Sequence, residues 1–501
     1  MVLPAGAARV GGAAAKGGAQ SSQARLKLKG RRAIKSAMSI ANASARTRVA
    51  RLSALVRRVH ALPGPRARAV AAMVGACVAD AAARPFHWLY DTDKLAATVA
   101  ANSERRLRPE FWPESCSPFY SLPTGRNSCY NDLALVSLRA LLSSHTSTDG
   151  AHFDAARHRE QMLSMFGECT EYAAAFARRQ TAYDPVRRLE ERQPVDGPWQ
   201  QGAVASFLAR TNNAASRESD GFVTALPLIA QLGAAFSLTD ANADADRAFQ
   251  HAVAEAAAAL NSNRFALRHV LTAALILRRL ISHGHATALS PLLLADQEAL
   301  LSCSRAVDET AIERFGGDSG EDDGAADVVA SELHSVFEAV AAARASGALD
   351  SHAHTAQVAA WGRQCAYPGS FMGALLASCS AAAPFAAPAD SAPAVVEQDS
   401  AFAAGFADAI RLVIRAGGCN CSRANLAGAL LGAAFGLQEA PVAYDCLGDR
   451  AEAVSGDAAS AIHGSAGSVA GPSPHTRGVP FEWLCLTDNA EEVLELALAR
   501  C

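Results

Sequence analysis

The sequence predicts an all-α protein, on three observations. Half of the residues are hydrophobic while only 6% are aromatic, and alanine dominates; alanine is the best helix former and a weak strand former. Apolar residues recur at helical spacing in one segment after another. No convincing run of alternating apolar and polar residues marks a strand.

The elements follow in order. A helix runs from Arg66 to about Arg84 and stops at Pro85, because the residue before a proline is pushed out of the helical region. In "NDLALVSLRALLSSH" (131–145), Leu133, Val136, Leu138, Leu141 and Leu142 fall on one helical face, with Asn131 or Asp132 as N-cap. Further helices are expected at about 160–179, 200–210, 222–236, 247–262, 265–282, 326–345, 370–380, 401–416 and 423–437. The last spans 488–499, with Asp488 at its start and Glu491 and Glu492 in its first turn, where the helix dipole favours acids. Ala424 to Leu437 reads as a buried core helix, and Gly428, Gly432 and Gly436 leave one of its faces bare for a neighbour. Pro368 and Gly369 read as a type II turn with Ser370 capping the next helix, and Trp88 and Trp483 as core residues.

Two regions differ in composition. Residues 1–65 are basic, and the first 79 residues hold 15 Lys and Arg and no Asp or Glu. They read as a chloroplast or mitochondrial transit peptide or as a disordered basic tail, while "KLKGRRAIK" (27–35) also suits a nuclear signal or nucleic-acid patch. Without a transit peptide the chain would be cytoplasmic. Residues 66–501 read as one helical domain with loop insertions near 316–327, 381–400 and 445–478. The overall charge of −3 therefore hides an acidic body, which argues against nucleic acid as partner of the main domain. No window of about 18 continuous apolar residues suggests a membrane span, and no apolar core of a secretory signal opens the chain. The 12 cysteines are scattered, as expected of free thiols in a reducing compartment. Oligomeric state is not encoded in these features.

No G-x-x-x-x-G-K-[ST], H-E-x-x-H or G-x-S-x-G occurs, which sets aside the chemistries they serve. Five other stretches stand out: "GACVADAAARPFHWLYD" (75–91), "FYSLPTGRNSCYNDLAL" (119–135), "CAYPGSFMGAL" (365–375), "RAGGCNCSRANLAGALLGAAFG" (415–436) and "GVPFEWL" (478–484). Taken alone, Cys419-Asn420-Cys421-Ser422 has three readings. It is a soft-metal clip, a reactive thiol pair at a helix N-terminus, or a helix cap at Asn420 or Ser422 after a Gly417-Gly418 stop.

In this order the five stretches resemble the ADP-ribosylglycohydrolase superfamily, most closely its branch of J-crystallins and selenoprotein J. The resemblance implies an orthogonal multi-helix bundle of the ADP-ribosylglycohydrolase type. In hydrolytic members it implies two Mg²⁺ ions beside the scissile ribosyl bond, held by hard oxygen ligands. Set against the family's G-D-A-L-G-x-P-x-E, this chain keeps Asp80 and carries His87 at the Glu position. Set against Tyr-Thr-Asp-Asp, it reads Tyr130, Asn131, Asp132, Leu133. Set against Gly-Gly-Asp-Thr-Asp-Thr, it reads Gly417, Gly418, Cys419, Asn420, Cys421, Ser422. Only Asp132 remains of the carboxylates at ligand positions.

The resemblance thus implies catalytic roles for Asp132, His87 and Asp80, and substrate binding by Arg126, Asn127, Asp220 and Gly221. It implies metal ligation by Asp132, Asn131, Cys419, Cys421, Ser422 and His87. The metal would be one Mg²⁺ at most or a softer ion such as Zn²⁺, or none. The expected activity is hydrolysis of an ADP-ribosyl or related ribosyl bond, on a small molecule or a protein. The alternatives are a non-catalytic, crystallin-like structural or nucleotide-binding protein, and a thiol-redox protein using Cys419 and Cys421.

Overall fold

A computed structural model describes residues 44–143, 153–182, 193–211, 213–235, 243–283, 296–317, 327–345, 351–382, 405–441 and 477–501. The expected targeting segment up to residue 43 and most of the three expected insertions lie outside the described residues. The chain divides into two compact units, Leu52–Pro441 with Val454–Cys501, and Met1–Arg51 with Val442–Ala453. Of the second unit, the described residues 44–51 are helical. The first unit carries the rest of the description.

Helices build that unit almost entirely. In chain order they are α1 (Gly64–Ala83), α2 (Thr92–Ala101), α3 (Cys129–Ser143), α4 (Ala155–Phe166), α5 (Glu171–Ala182), α6 (Gly202–Leu208), α7 (Asp220–Ala235), α8 (Ala243–Ala258) and α9 (Arg264–Ser282). There follow α10 (Gln297–Arg305), α11 (Glu309–Phe315), α12 (Asp327–Ala345), α13 (Ser351–Trp361), α14 (Gly369–Ala382), α15 (Phe406–Arg415), α16 (Asn420–Phe435), α17 (Phe481–Leu486) and α18 (Ala490–Arg500). Among the described residues the extended structure is one parallel pair, Tyr120–Ser121 with Val195–Asp196, and three isolated bridges. The all-α expectation holds.

Several boundaries differ from the sequence reading for local reasons. The helix expected at 160–179 is two, because α4 ends at Gly167 and α5 starts after Thr170, whose hydroxyl accepts from Ala173 N. Helices α2, α10, α11, α13 and α17 were not legible as apolar runs; the first three are short and capped by Asp91, Asp296 and Asp308. Residues 52–60 are also helical and bury Leu52, Leu55, Val56 and Val59, so folded structure begins upstream of Arg66.

At the centre α1 packs on α16. Every α1 residue from Ala69 to Ala83 is buried. By length and composition Gly64–Phe86 would cross a membrane, but its most apolar stretch lies wholly inside the fold. The contact is backbone to backbone: a Cβ on Gly75 would sit 2.2 Å from Gly428 O, and one on Gly432 would sit 2.1 Å from Ala71 O. Gly436 departs from the expected glycine stripe. A Cβ there would meet nothing, and its φ of 74° ends α16 in the left-handed region. This close crossing brings the C-terminal end of α1 against the N-terminal end of α16, where the candidate site lies.

Candidate functional site

Three chain segments meet at this point. Pro85 ends α1 in a single 3-10 turn, Arg84–Phe86, and His87 follows it. Trp88 N donates to Gly418 O at 2.8 Å, and Gly418 N donates to Leu89 O at 2.8 Å. Gly417 and Gly418 stop α15 with φ of 67° and 65°, and a Cβ on Gly418 would lie 2.5 Å from Arg363 O. Only glycine fits there. Cys419 N then donates to Arg363 O at 2.8 Å, tying in the loop before α14. Fully buried Arg423 clamps the same junction by donating to Arg363 O and Gly417 O. Burial lowers the Arg423 pKa to about 10, so it stays cationic.

Cys419, fully buried, is the hub. Its Sγ lies 3.3 Å from His87 Nε2 and 3.3 Å from Tyr130 Oη, and the Cys365 thiol, which donates to Glu218 Oε1 at 3.2 Å, is a neighbour. The other ring nitrogen, His87 Nδ1, is 2.8 Å from Tyr120 Oη. Trp88, held at φ 64°, stacks on His87 at 4.1 Å. Burial alone would raise the Cys419 thiol. The neighbouring Cys365 thiol, the His87 charge and bond, and Ser422 outweigh it and hold the thiol well below its ordinary range. Thiol, imidazole and phenol thus line up as nucleophile, base and orienting group, the arrangement of an activated cysteine, here sealed inside the protein.

Asp80 has a different role. Its carboxylate accepts from Ser128 N (2.7 Å), Ser128 Oγ (2.5 Å), Asn127 Nδ2 (3.0 Å) and Asn425 Nδ2 (3.1 Å). It joins α1 to the start of α3 and to α16. Asn127 belongs to the same brace, since its Nδ2 also donates to Cys77 O at 2.8 Å. The expectation that Asn127 contacts substrate gives way to this, because its side chain is buried and bonded inward.

The remaining ligand-position residues do not converge on one ion. Asp132 accepts from Tyr172 Oη at 2.7 Å and from Asn489 Nδ2 at 3.5 Å. Burial raises its carboxyl to about pKa 7, against the Tyr172 bond. Asn131 is buried beside Cys77. Ser422 Oγ donates to Cys419 O at 2.8 Å, and Cys421 Sγ turns toward Asp80 O at 3.9 Å. Asn420 donates to Ala83 O, and Cys419 itself, whose side chain makes no capping bond to the helix, occupies the N-cap. The cap readings for Asn420 and Ser422 are therefore corrected. Among the described residues no group of three or more His, Cys, Asp or Glu side chains is arranged to hold a metal ion. Apart from Asn131, whose buried Nδ2 has no hydrogen-bond partner among the described residues, the donor set is engaged in its own hydrogen bonds and does not fit the family's Mg²⁺ centre.

Of the expected substrate-binding residues, Arg126 pairs with Glu171 at 2.8 Å on the surface. The pair borders an open cleft of about 700 Å³ lined by Glu114, Ser121, Glu171, Arg178 and Asp196. Gly221 lets α7 approach α8, its virtual Cβ 3.3 Å from Ala257 Cβ. Asp220 is fully buried, and burial followed by the Glu218 charge raises its pKa well above the carboxylate range. Pro368 follows a cis peptide bond and α14 begins at Gly369, so the expected type II turn and Ser370 cap are not formed. Trp88 and Trp483 are buried as expected.

Sequence reasoning missed Tyr120, Tyr130, Glu218 and Cys365. Tyr130 was visible as the first residue of the Tyr-Asn-Asp motif. Cys365 stood in a quoted stretch but had no partner until the loop before α14 was placed.

The ADP-ribosylglycohydrolase family model matches residues 61–468. Crystallin J1A and Crystallin J1B of Tripedalia cystophora are each 28% identical over 169 residues. That stretch is 32% of this chain and 46% of each crystallin, so the match spans about half the length of these relatives. A solved structure titled "ADP-ribosylglycohydrolase-related protein complex" aligns over 87% of this chain and 98% of its own, with 17% identity and a TM-score of 0.41. With the family model covering most of its length and an all-helical body around the matching motifs, the chain belongs to the ADP-ribosylglycohydrolase family.

Proposed function

We propose that this chain is a non-hydrolytic member of its family, in which the fold persists as a scaffold and the metal centre has become a packed thiol–imidazole–phenol core. One observation carries the reading: His87 and Cys419 bond each other, Cys421 and Ser422 turn to backbone carbonyls, and Asp132 is held by Tyr172, so these side chains do not face a common point. Magnesium needs several free oxygen ligands to offset its dehydration. Here Asp132 is the one carboxylate at those positions, and Tyr172 occupies it.

A structural role fits better than nucleotide binding. Glu114, Glu171 and Asp196 line the 700 Å³ cleft against Arg178 alone, and Arg126 beside it is neutralised by Glu171. Such a surface repels a diphosphate.

A second reading, metal-free hydrolysis of a ribosyl bond, has one feature in its favour. Asp132, with a pKa of about 7, is tuned as a general base. A single assay separates the two. Full-length protein, incubated with ADP-ribosylated arginine, serine and free ribosyl substrates with and without Mg²⁺, is expected to release no ADP-ribose above the buffer blank. Release that Asp132→Asn abolishes would establish the hydrolase instead.

A further inference from the structure

After α2 the chain makes two consecutive tight turns. Arg105 N donates to Asn102 O at 3.1 Å and Arg108 N to Arg105 O at 2.8 Å, while Asn102 Oδ1 accepts from Glu104 N and Arg105 N, both at 3.2 Å. Arg105 folds inward: Nη2 donates to Glu110 O at 2.8 Å, and the guanidinium lies 5.8 Å from the centre of the Trp112 ring. Arg106, Leu107 and Arg108 are left on the surface. Leu107, at 50%, is the most exposed large apolar side chain among the described residues. The turn is therefore a rigid, basic tip with an apolar point.

Its chemical complement lies a few residues further along the same segment. Past the buried stretch Pro109–Trp112, Pro113 and Glu114 form a wall of the open cleft of about 700 Å³. Thr124 Oγ1 pins that wall, lying 2.7 Å from Trp112 O and 2.9 Å from Pro113 O. The cations at the cleft are already engaged. Arg126 pairs with Glu171, and Arg178 donates to Asp196 O through Nε at 3.1 Å and Nη2 at 2.8 Å. Glu114 and Asp196 are exposed, and their carboxylates have no ion-pair partner among the described residues. Pro113, Leu122 and Pro123 supply the apolar part of the lining.

We propose that two copies of this chain associate about a two-fold axis, the Arg106–Leu107 tip of each seated in the acidic cleft of the other. Arg106 pairs there with Glu114 and Asp196, and Leu107 lies against Pro113, Leu122 and Pro123. Within one chain the tip and the cleft do not meet, because Pro109–Trp112 is buried between them. Each copy thus offers one tip and one cleft, and a two-fold arrangement satisfies both contacts at once. The opposed charges set the partner and its orientation, and burial of the exposed leucine adds an apolar contribution. The inference goes beyond the scaffold reading and does not depend on it, because no residue of the Cys419 core takes part.

Analytical ultracentrifugation of the full chain tests this. At about 100 μM chain and about 50 mM salt, twice the chain mass is expected, falling to the chain mass at about 500 mM salt. Arg106→Glu is expected to sediment as a monomer, and so is the double variant Glu114→Arg with Asp196→Arg. An equimolar mixture of these two is expected to recover the dimer, since each tip then meets a cleft of opposite charge. Circular dichroism matched to the wild type shows that both variants are folded, and the wild-type salt series stands without them. Four results would overturn the proposal: a wild-type monomer at low salt, a dimer that survives either set of substitutions, a mixture of folded variants that stays monomeric, or a mass that grows with concentration beyond two chains.

Discussion

His87 Nε2 lies 3.3 Å from Cys419 Sγ across 332 residues of sequence. Hydrolytic relatives are expected to hold an acid at each of these two positions, and two acids in contact would repel unless a cation lay between them. An imidazole and a thiol attract one another directly. The pair therefore holds the C-terminal end of α1 to the N-terminal end of α16 with no ion required.

That attachment predicts a stability cost for His87→Ala. The substitution removes the stack on Trp88 and both ring hydrogen bonds. It leaves the phenol of Tyr120 buried without its partner. Urea denaturation should show a loss of about 2–4 kcal/mol. A change within about 0.5 kcal/mol would mean that the pair contributes nothing to the fold.

The α1–α16 crossing makes a sharper prediction. Gly428→Ala would place a methyl 2.4 Å from Gly75 O and 2.6 Å from Ala79 Cβ, so the two helices must part. A loss above about 3 kcal/mol is expected, at the upper end for overpacking. Gly436→Ala, which meets no atom, should cost only the backbone strain of a conformation that glycine alone adopts readily, about 1–3 kcal/mol. Thermal denaturation of the two variants side by side checks the order.

Asp132 supplies a pH dependence. Its carboxyl is raised by burial from 3.8 to about 7 in the folded state. The folded state therefore keeps this proton at pH values where the unfolded chain has released it. Its contribution to stability is full below about pH 4 and is lost as the pH rises toward 7. Asp132→Asn should match the wild type near pH 4 and exceed it by about 1–3 kcal/mol at pH 8. Denaturation midpoints across that range measure it, and parallel curves for the two proteins would contradict the assignment.

Much of this architecture was legible in the sequence, and the illegible part has identifiable causes. Long apolar periods such as Leu133–Leu142 fixed their helices, and Pro85, Gly417 and Gly418 fixed the junctions at the site. Helices without an apolar run, such as Ser351–Trp361, left no periodic signal to read. Motif order placed His87 and Cys419 together correctly. It could not show which way each side chain turns. Cys421 faces α1, Asp132 faces Tyr172, and Asp80 is surrounded by four donors from Asn127, Ser128 and Asn425. Those orientations depend on partners from distant segments, and they separate a ligand set from a hydrogen-bonded core. Asp80 in particular changes from a candidate catalytic acid to a brace between three helices.

The central claim is that the family's metal centre has been replaced by this core. Calorimetric titration of Mg²⁺, and separately of Zn²⁺, into chelator-treated, reduced full-length protein tests it most directly. The account predicts no saturable binding of either ion. Stoichiometric binding that Cys419→Ala, Cys421→Ala or Asp132→Asn abolishes would contradict it.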